Sequence, residues 1–580
     1  MLKNFISKAI AFFPADLKDW HLKSKTDFYR LSVFIVLLCL VFGSAAYLFY
    51  FQANDAFVYF RYVSNALKGY GYVWNSEPFA HADGYTGILW VLLLQAFATI
   101  GISIPVAANI LSFLFSLGSV GMCFAFLRRM PLPDLDRRKS FCIFLIVCFI
   151  LITNTTFDAF MSSGTEAALF NFLVLWWCFE ASAADRNPVW MTVCASLIAV
   201  TRTEGIVFIP ACLPFLILLQ TERKSRKNAA YTLLAFLPFA AFARFLFWRK
   251  SFYGSYIPNA FLASFEETFP PFAWDYLLSF AVEYGLYFWV PVFALWTLMF
   301  CLFKRFKMFI IPVLLALPFV AYVAWLVFLT GADTLEYRLL GFFIPLCLLA
   351  GIRMITQNIS ATFRFLCICL GLYWICASPI PWTHYFLTRD LNTRAQTAFL
   401  YQPVSKTFEW LFSDFWDEAQ KRLISQGIAL RRQEHKVLTE ELLKSFPSRK
   451  DGEKIKKEHS RLFAWSFAGV PAWVFPEAYI IDLSGQNDPV IARMPVRNLA
   501  NRKMGHDRVV SPGYLICFNG GANIKVTPFD GKPDVAYLAS APLNEAVIRG
   551  CEAFWRSMVK EKIDYPVRLK NPDEQKRISK

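Results

Sequence analysis

Short polar motifs interrupt this hydrophobic chain at the ends of its apolar runs. They are Asn54-Asp55, Ser163-Gly164-Thr165-Glu166, Arg202-Thr203-Glu204, Pro258-Asn259 and Gly331-Ala332-Asp333. In the first motif an acid follows an apolar run, and Arg61 comes six residues later. A carboxylate at a water–lipid boundary can act on an acceptor hydroxyl while a guanidinium holds a departing lipid phosphate. The alternative is that Asp55 caps the helix that follows it.

The elements that carry these motifs are predicted to be membrane helices. The chain has 580 residues, 56% hydrophobic and 18% aromatic, and its apolar runs approach the length that crosses a bilayer. The first run is too long for the core of a signal peptide and is interpreted as a true span. We predict an all-α polytopic membrane domain with roughly eleven transmembrane helices, at 31–50, 106–127, 140–153, 167–184, 188–203, 205–220, 229–248, 276–303, 308–329, 339–355 and 363–380.

Lysine and arginine residues predict the orientation of these helices. The basic clusters lie in the first thirty residues and at 128–129, 137–139, 223–227 and 304–307. All of them are cytoplasmic if the apolar piece 86–100 is a re-entrant or interfacial segment and not a span. The polar motifs then all lie on the opposite, exported face.

The predicted domain order follows from this topology. A cytoplasmic segment 1–30 precedes a transmembrane domain 31–380, which contains a large exported loop at 51–85. Residues 381–580 form an exported C-terminal domain. There a short apolar strand at 478–483 ends in an acid and is followed by turn residues, which indicates a small α/β domain.

Charge and cysteine content narrow the class of partner. The net charge of +16 is split between the two faces and rims the membrane, so we expect anionic lipid and no nucleic acid as its partner. Cys517 and Cys551 are the two cysteines of the exported C-terminal region, where one disulfide can form. No cysteine or histidine spacing is typical of a zinc site, and we predict no dedicated metal site.

The exported loops resemble those of a known family. In the first loop the matching pieces are Asp55-Ala56-Phe57, Gly69-Tyr70-Gly71-Tyr72 and Asp83-Gly84-Tyr85-Thr86. The later pieces lie at 163–170, 201–205, 253–259, 331–333, 337–338, 481–493 and 505–507. As an ordered set, they resemble the terminal arabinofuranosyltransferases of bacterial cell envelopes. The chain departs from the family pattern at Asn54, where the family has the first of two adjacent acids.

The resemblance implies a GT-C-like membrane glycosyltransferase in the bacterial cytoplasmic (inner) membrane. Such an enzyme takes a sugar, arabinofuranose or another pentose or hexose, from a polyprenyl-phosphate donor. It transfers this sugar to a cell-envelope glycan or another acceptor at the extracytoplasmic face. No cofactor is required, although a divalent cation held by exported acids stays an open alternative. The rival functions are a lipid-linked glycan flippase or transporter, and an oligosaccharide ligase or polymerase.

The resemblance also implies roles for individual residues. Asp55 is the catalytic carboxylate, as general base in an inverting transfer or as nucleophile or ion-pair stabiliser in a retaining one. Arg61, Arg202 and Arg338 are the candidates for binding the donor phosphate. The candidates for binding the sugar or the acceptor are Asp83, Tyr85, Glu166, Glu204, Asn259, Asp333 and His506. The alternatives are that the arginines anchor helix ends and that the acids form structural ion pairs.

Overall fold

The computed structural model of the chain is mostly helical. It describes residues 25–130, 137–183, 187–222, 226–264, 272–284, 310–356, 388–393, 427–454, 462–496, 508–518, 526–527, 535–537 and 544–560, with residues 286, 291, 294–295, 298, 385–386 and 506. In the first two thirds the helices are Lys25–Leu48, Asn54–Leu67, Ile88–Thr99, Ile104–Arg129, Arg137–Ile152, Thr155–Ser162, Ala167–Ser182, Pro188–Thr201, Phe208–Glu222, Arg226–Leu234, Leu237–Tyr253, Asn259–Ser264, Phe272–Glu283, Ile310–Trp325 and Phe343–Thr356.

Several of these helices suit a bilayer. Among the described residues, Ile104–Arg129, Ala230–Tyr253 and Ile310–Thr330 are long and apolar enough to cross a membrane, and a pair of helices bent by 72° makes a fourth candidate. The 26 residues of Ile104–Arg129 extend about 39 Å, which exceeds a hydrocarbon core of about 30 Å. The count of eleven spans stays a prediction. The predicted span 363–380 and half of the residues of 276–303 lie outside the described residues.

Two interruptions of helical structure determine where charged side chains emerge. Arg202 is extended, with φ −148° and ψ 143°, between the helix Pro188–Thr201 and the 3₁₀ turn Thr203–Val207. Gly331 ends the π-helical turn Leu326–Thr330 with φ +81°, a conformation that residues with a Cβ rarely adopt. Both breaks therefore turn the chain sharply where the sequence predicts site residues.

The C-terminal region contains a small mixed sheet. Its strands are β1 (Leu462–Trp465), β2 (Tyr479–Asp482), β3 (Val526–Thr527) and β4 (Val535–Tyr537), in the order β2-β1-β4-β3. β1 and β2 are parallel, and the other two pairs are antiparallel. β2 confirms the predicted apolar strand. Around the sheet lie the helices Arg432–Ser445, Arg449–Gly452, Gly469–Val474, Pro512–Phe518 and Glu545–Lys560, and the 3₁₀ turn Ile491–Arg493.

The sheet packs differently on its two faces. Successive residues of a strand point to opposite sides. Leu462 and Ile481 contribute to a core of the C-terminal region itself, whereas Trp465 and Ile480 belong to the large core that includes the first helices. The sheet is thus attached directly to the part of the chain that follows the first predicted span. Cys517 and Cys551 form the disulfide that the sequence permits, within the C-terminal core.

Candidate active site

A cavity lies where the helix Asn54–Leu67, the turn after Thr330 and the C-terminal region meet. The empty volume of this cavity, including open solvent at its mouth, is about 860 Å³. Its polar and charged lining residues are Asp55, Tyr59, Thr86, Glu166, Arg202, Thr203, Glu204, Ser264, Thr330, Asp333, Thr334, Arg338, Gln486 and His506. Polar motifs that lie far apart in the sequence therefore converge on one space.

Asp55 lies in the first turn of its helix and faces this cavity. The N-cap position is Ala53, and no side chain within the described residues caps this helix end. The Asp55 side chain is 33% exposed, and its Oδ2 lies 3.2 Å from Nη1 of Arg338. The position therefore favours a carboxylate available to a ligand over the capping alternative.

Arg338 forms a two-point ion pair with Asp333 on this wall. Its Nε and Nη2 donate to the two carboxylate oxygens of Asp333 at 2.6 and 2.9 Å, a two-point contact that suits the planar guanidinium. Burial alone would raise the pKa of Asp333, but the charge and hydrogen bonds of Arg338 outweigh it and hold the pKa below its usual range. Asp333 therefore stays ionised and fixes the orientation of Arg338.

A second charged group lies on another part of the wall. Arg202 donates to Glu166 and, at 3.2 Å, to Oε1 of Glu204. All three residues are buried, and the second carboxylate oxygens of both glutamates have no hydrogen-bond partner among the described residues. This confirms the ion pairing considered as an alternative for Glu166 and Glu204. It also leaves two buried acceptors beside the cavity, which hydroxyl groups of a ligand can satisfy.

The charges of the wall are unbalanced. Its four carboxylates exceed its two guanidinium groups, and each guanidinium already binds two of these carboxylates. An incoming anion must therefore compete with a carboxylate for its arginine. The contact between Arg338 and Asp55 is the longest of the three that Arg338 makes, and Asp55 is its more exposed partner.

The C-terminal region supplies Gln486 and His506 to the cavity. The loop that presents Gln486 is held at its start by Asp482, whose oxygens accept hydrogen bonds from Ser484 and Asn487 at 2.6 to 3.0 Å. From the other side, Nδ2 of Asn259 donates to the carbonyls of Gly485 and Gln486 at 2.8 and 3.0 Å. Gln486 was not among the predicted site residues. Its signals in the sequence were its place in an acid-bounded run of turn residues and within the segment 481–493 that resembles the known family.

Three predicted ligand-binding residues lie behind the wall and do not line the cavity. Asp83 is buried against Arg249, with 2.5 Å between Oδ2 and Nη2, and its Oδ1 accepts the Asn259 N–H at 2.9 Å. Burial raises the pKa of Asp83, and the charge of Arg249 partly offsets this. The Tyr85 hydroxyl lies 2.8 Å from that of Tyr253. Asp83, Tyr85 and Asn259 therefore support the wall, and their predicted sugar contacts have no geometric support.

Arg61 does not line the cavity, although the sequence predicts that it binds the donor phosphate. It is 2% exposed and lies outside the cavity lining. Its guanidinium makes five hydrogen bonds, to the carbonyls of Trp74, Ala472, Phe475 and Ala478 and to Oδ1 of Asn75. Because the guanidinium has five N–H donors in total, this network uses its full capacity. The geometry assigns Arg61 to the junction with the C-terminal region, which corrects its assignment to the phosphate.

Asn54, the position at which the chain departs from the resembled family, belongs to the same junction. Its Oδ1 accepts the backbone N–H of Val470 at 3.1 Å, at the start of the helix Gly469–Val474. A Cβ on residue 469 would lie 2.2 Å from the Asn54 carbonyl oxygen, so only glycine permits this approach. Of the two adjacent positions, Asn54 joins the regions and Asp55 faces the cavity.

The wall carries many carboxylates, but they do not form a metal centre by themselves. Within the described parts of the chain, no group of three or more histidine, cysteine, aspartate or glutamate side chains has an arrangement suited to a metal ion. Asp55 and Asp333 bind opposite sides of the same guanidinium. Whether catalysis involves a divalent cation stays an open alternative of the sequence analysis.

Comparison with known proteins identifies the architecture. No protein-family model and no curated protein sequence matches the chain. Among solved structures, ArnT from Cupriavidus metallidurans bound to undecaprenyl phosphate matches with a TM-score of 0.52 at 10% identity, covering 90% of this chain and 100% of that one. The fold is ArnT-like. The apo state of ArnT gives a TM-score of 0.50 at 11% identity, covering 88% and 98%.

At this identity the comparison shows the fold alone. The ArnT-like architecture extends over the membrane helices and the C-terminal region together, since nearly the whole of both chains is matched. With the apolar helices described above, this makes the chain an integral membrane protein. Its orientation in the membrane stays the prediction made from lysine and arginine placement.

Proposed function

We propose that this protein is a membrane glycosyltransferase that uses a polyprenyl-phosphate sugar as donor. The observation that carries the proposal is the convergence of Asp55, Asp333 and Arg338 with the group around Arg202 on one cavity. Support comes from the ArnT-like fold, because one of the matching structures holds undecaprenyl phosphate. The family resemblance of the exported loops gives the same class of donor.

Arg338 is proposed to bind the donor phosphate. A guanidinium that already holds Asp333 by two hydrogen bonds keeps its orientation while Nη1 exchanges one anionic partner for another. The phosphate competes at Nη1 with Asp55, whose contact is long and partly exposed. Donor binding thus releases the Asp55 carboxylate at the moment when the reaction needs it.

Asp55 is then proposed to act as the general base. It takes the proton of the acceptor hydroxyl while the acceptor oxygen bonds to the sugar carbon. The bond between that carbon and the phosphate oxygen breaks, and its electron pair leaves with the polyprenyl phosphate, which Arg338 stabilises. In a retaining transfer, Asp55 instead attacks or stabilises the sugar carbon. The anomeric configuration of the product distinguishes the two mechanisms.

The remaining wall is proposed to bind the sugar and the acceptor. The two unpartnered oxygens of Glu166 and Glu204 suit sugar hydroxyl groups. Gln486 and His506 come from the C-terminal region, which is predicted to lie in the aqueous phase, so they suit an acceptor that arrives from water. Which pentose or hexose is transferred, and whether the acceptor is a cell-envelope glycan, are parts of this proposal that the assay below addresses.

The test uses the purified full-length protein in vesicles. Polyprenyl monophosphates carrying single radiolabelled pentoses or hexoses are supplied with envelope glycan fragments, and both the new glycosidic bond and the released polyprenyl phosphate are measured. We expect transfer of single sugars from at least one such donor. Movement of labelled lipid across the vesicle without a new bond would favour a flippase. Transfer of only preassembled, lipid-linked oligosaccharides would favour a ligase or polymerase.

A further inference from the structure

The loop that carries Asp333 and Arg338 contains a second acid, Glu336, for which the sequence alone predicts no role. Glu336 is 2% exposed and does not line the cavity. Its backbone φ is +40°, in the left-handed region that residues other than glycine rarely occupy. Strained backbone of this kind persists only where surrounding contacts enforce it.

The contacts that enforce it come from two distant parts of the chain. One carboxylate oxygen of Glu336 accepts the backbone N–H of Arg432 at 2.8 Å, and the other accepts the hydroxyl of Thr156 at 3.0 Å. The Glu336 N–H donates to the carbonyl of Leu430 at 2.8 Å. Glu336 therefore joins the loop to the helix Thr155–Ser162 and to the segment 429–432 of the C-terminal region.

The same segment makes further backbone hydrogen bonds to the loop. Ala429 and Leu430 donate their N–H groups to the carbonyls of Asp333 and Thr334, both at 2.9 Å. Ala429 has φ +51°, and within the described residues it is the only residue besides Glu336 that is not glycine and has positive φ. Each of the two paired segments, the Arg338 loop and the segment 429–432, thus contains one residue with a strained backbone.

The segment 429–432 is itself firmly anchored. Arg431 forms a two-point ion pair with Glu283 at the end of the helix Phe272–Glu283. Arg432 donates to the carbonyl of Phe49 at 2.9 Å. The loop that carries Arg338 therefore rests on a support that is tied to the helix Phe272–Glu283 and to Phe49, just after the helix Lys25–Leu48. Glu336 is a side chain that connects loop and support.

We infer that Glu336 is a positioning residue, which holds Arg338 and Asp333 at the cavity so that Arg338 can receive the donor phosphate. This inference rests on the proposed function. Glu336 needs no negative charge for this role, because glutamine offers a carbonyl oxygen to the Arg432 N–H and an amide group to Thr156. Burial raises the pKa of the Glu336 carboxyl, which also favours its neutral form.

The experiment is a double-mutant cycle with Arg338, measured as the donor KM of the folded, full-length protein. Glu336→Ala is expected to raise the donor KM on the order of tenfold, because small misplacements of a binding group are costly. Glu336→Gln should restore it to within about twofold of wild type. If Glu336 acts through Arg338, the double variant Glu336→Ala with Arg338→Ala should have the donor KM of Arg338→Ala alone.

Thr156→Val is the milder variant to use if Glu336→Ala does not fold. It removes one of the two hydrogen bonds that the Glu336 carboxylate accepts from other residues and should raise the donor KM by a smaller factor. Combined with Arg338→Ala, it should leave the donor KM at the value of Arg338→Ala alone. The positioning role would be overturned if the double variants had a donor KM raised by the product of the two single-variant factors. It would also be overturned if Glu336→Ala lowered the yield of the protein but kept the wild-type donor KM. A wild-type protein that transfers no sugar from any polyprenyl phosphate would instead overturn the proposed function itself.

Discussion

Arg61 and Arg338 show how the same side chain serves two regions in different ways. In the junction between the helix Asn54–Leu67 and the C-terminal region, Arg61 donates all five of its hydrogen bonds to neutral oxygens, four of them backbone carbonyls. At the cavity, Arg338 binds carboxylates, one of them partly exposed. A phosphate can replace a carboxylate, whereas it cannot replace a set of backbone carbonyls. The partners of an arginine therefore indicate whether it binds a ligand or joins parts of the chain.

The strongest test of the cavity side is Asp55→Asn. The change keeps the shape of the side chain and removes its charge, so turnover should fall by at least about a hundredfold, the scale for losing a positioned acid or base. Thermal stability should stay close to that of wild type. Asp390→Asn, at an exposed position, is the matched control and should transfer sugar normally. Normal turnover of Asp55→Asn would remove Asp55 from the reacting centre.

Arg338→Lys separates a phosphate-binding role from a helix anchor. Lysine provides charge and length but not the planar two-point geometry, so donor KM should rise by about tenfold, the equivalent of about 1.4 kcal/mol and less than one charge-assisted hydrogen bond. Arg338→Ala, which removes the charge as well, should raise the donor KM further. Donor-concentration curves on both variants measure this. If lysine gives wild-type kinetics and alanine only lowers the folding yield, Arg338 is an anchor.

Arg61→Lys should affect stability and not donor use. The ammonium has three donors at one point and cannot reach all the carbonyls that Arg61 holds, so buried acceptors lose their partners. We expect the free energy of unfolding to fall by about 2 kcal/mol, seen as a lower Tm in detergent. Arg549→Lys, on an exposed face, is the control. If Arg61→Lys instead had an unchanged Tm and a raised donor KM, Arg61 would be a phosphate-binding residue, and the distinction drawn between Arg61 and Arg338 would be wrong.

Glu552 offers a smaller, pH-dependent test of the junction. Its Oε2 accepts the Ala80 N–H at 2.8 Å, and burial raises its pKa to about 7. Because the folded chain then holds this proton more tightly than the unfolded chain does, the contribution of Glu552 to stability is greatest below about pH 4 and is lost as pH rises through about 7.

Glu552→Gln keeps an acceptor for Ala80 and removes the titration. Between pH 5 and pH 8 the Tm of the wild type should therefore fall more than that of the variant, which should be the more stable protein at pH 8 by on the order of 1 kcal/mol. Glu545→Gln, exposed on the same helix, is the control. Parallel Tm curves for wild type and Glu552→Gln would show that this carboxyl does not titrate in that range.

Some residues of the cavity could be predicted from the sequence, because both their chemistry and their position at the end of an apolar run are visible in the sequence around them. Asp55, Arg202 and Asp333 follow the ends of apolar runs, and a membrane topology that puts those ends on one face brings them close together. The strand β2 was also recognisable from its apolar pattern. An ArnT-like architecture agrees with the GT-C-like expectation at the level of the fold.

Other assignments needed tertiary contacts. The sequence around Arg61 resembles that of a ligand-binding arginine, and only the carbonyls of residues 472–478 show that it is fully occupied. Asp83 was predicted to contact sugar, but its partner Arg249 lies 166 residues away. Glu336 carries no local signal, because its role depends on positive φ and on partners from two other elements.

The contact between Asn54 and Val470 has a consequence for the biosynthesis of the protein. The two residues are 416 positions apart in the chain, and the N-terminal one adjoins Asp55. A ribosome must complete most of the chain before this contact can form. The cavity is therefore assembled late. An unfinished chain already inserted among lipids has no complete wall around Asp55, so truncation before residue 469 should yield an inserted but inactive protein.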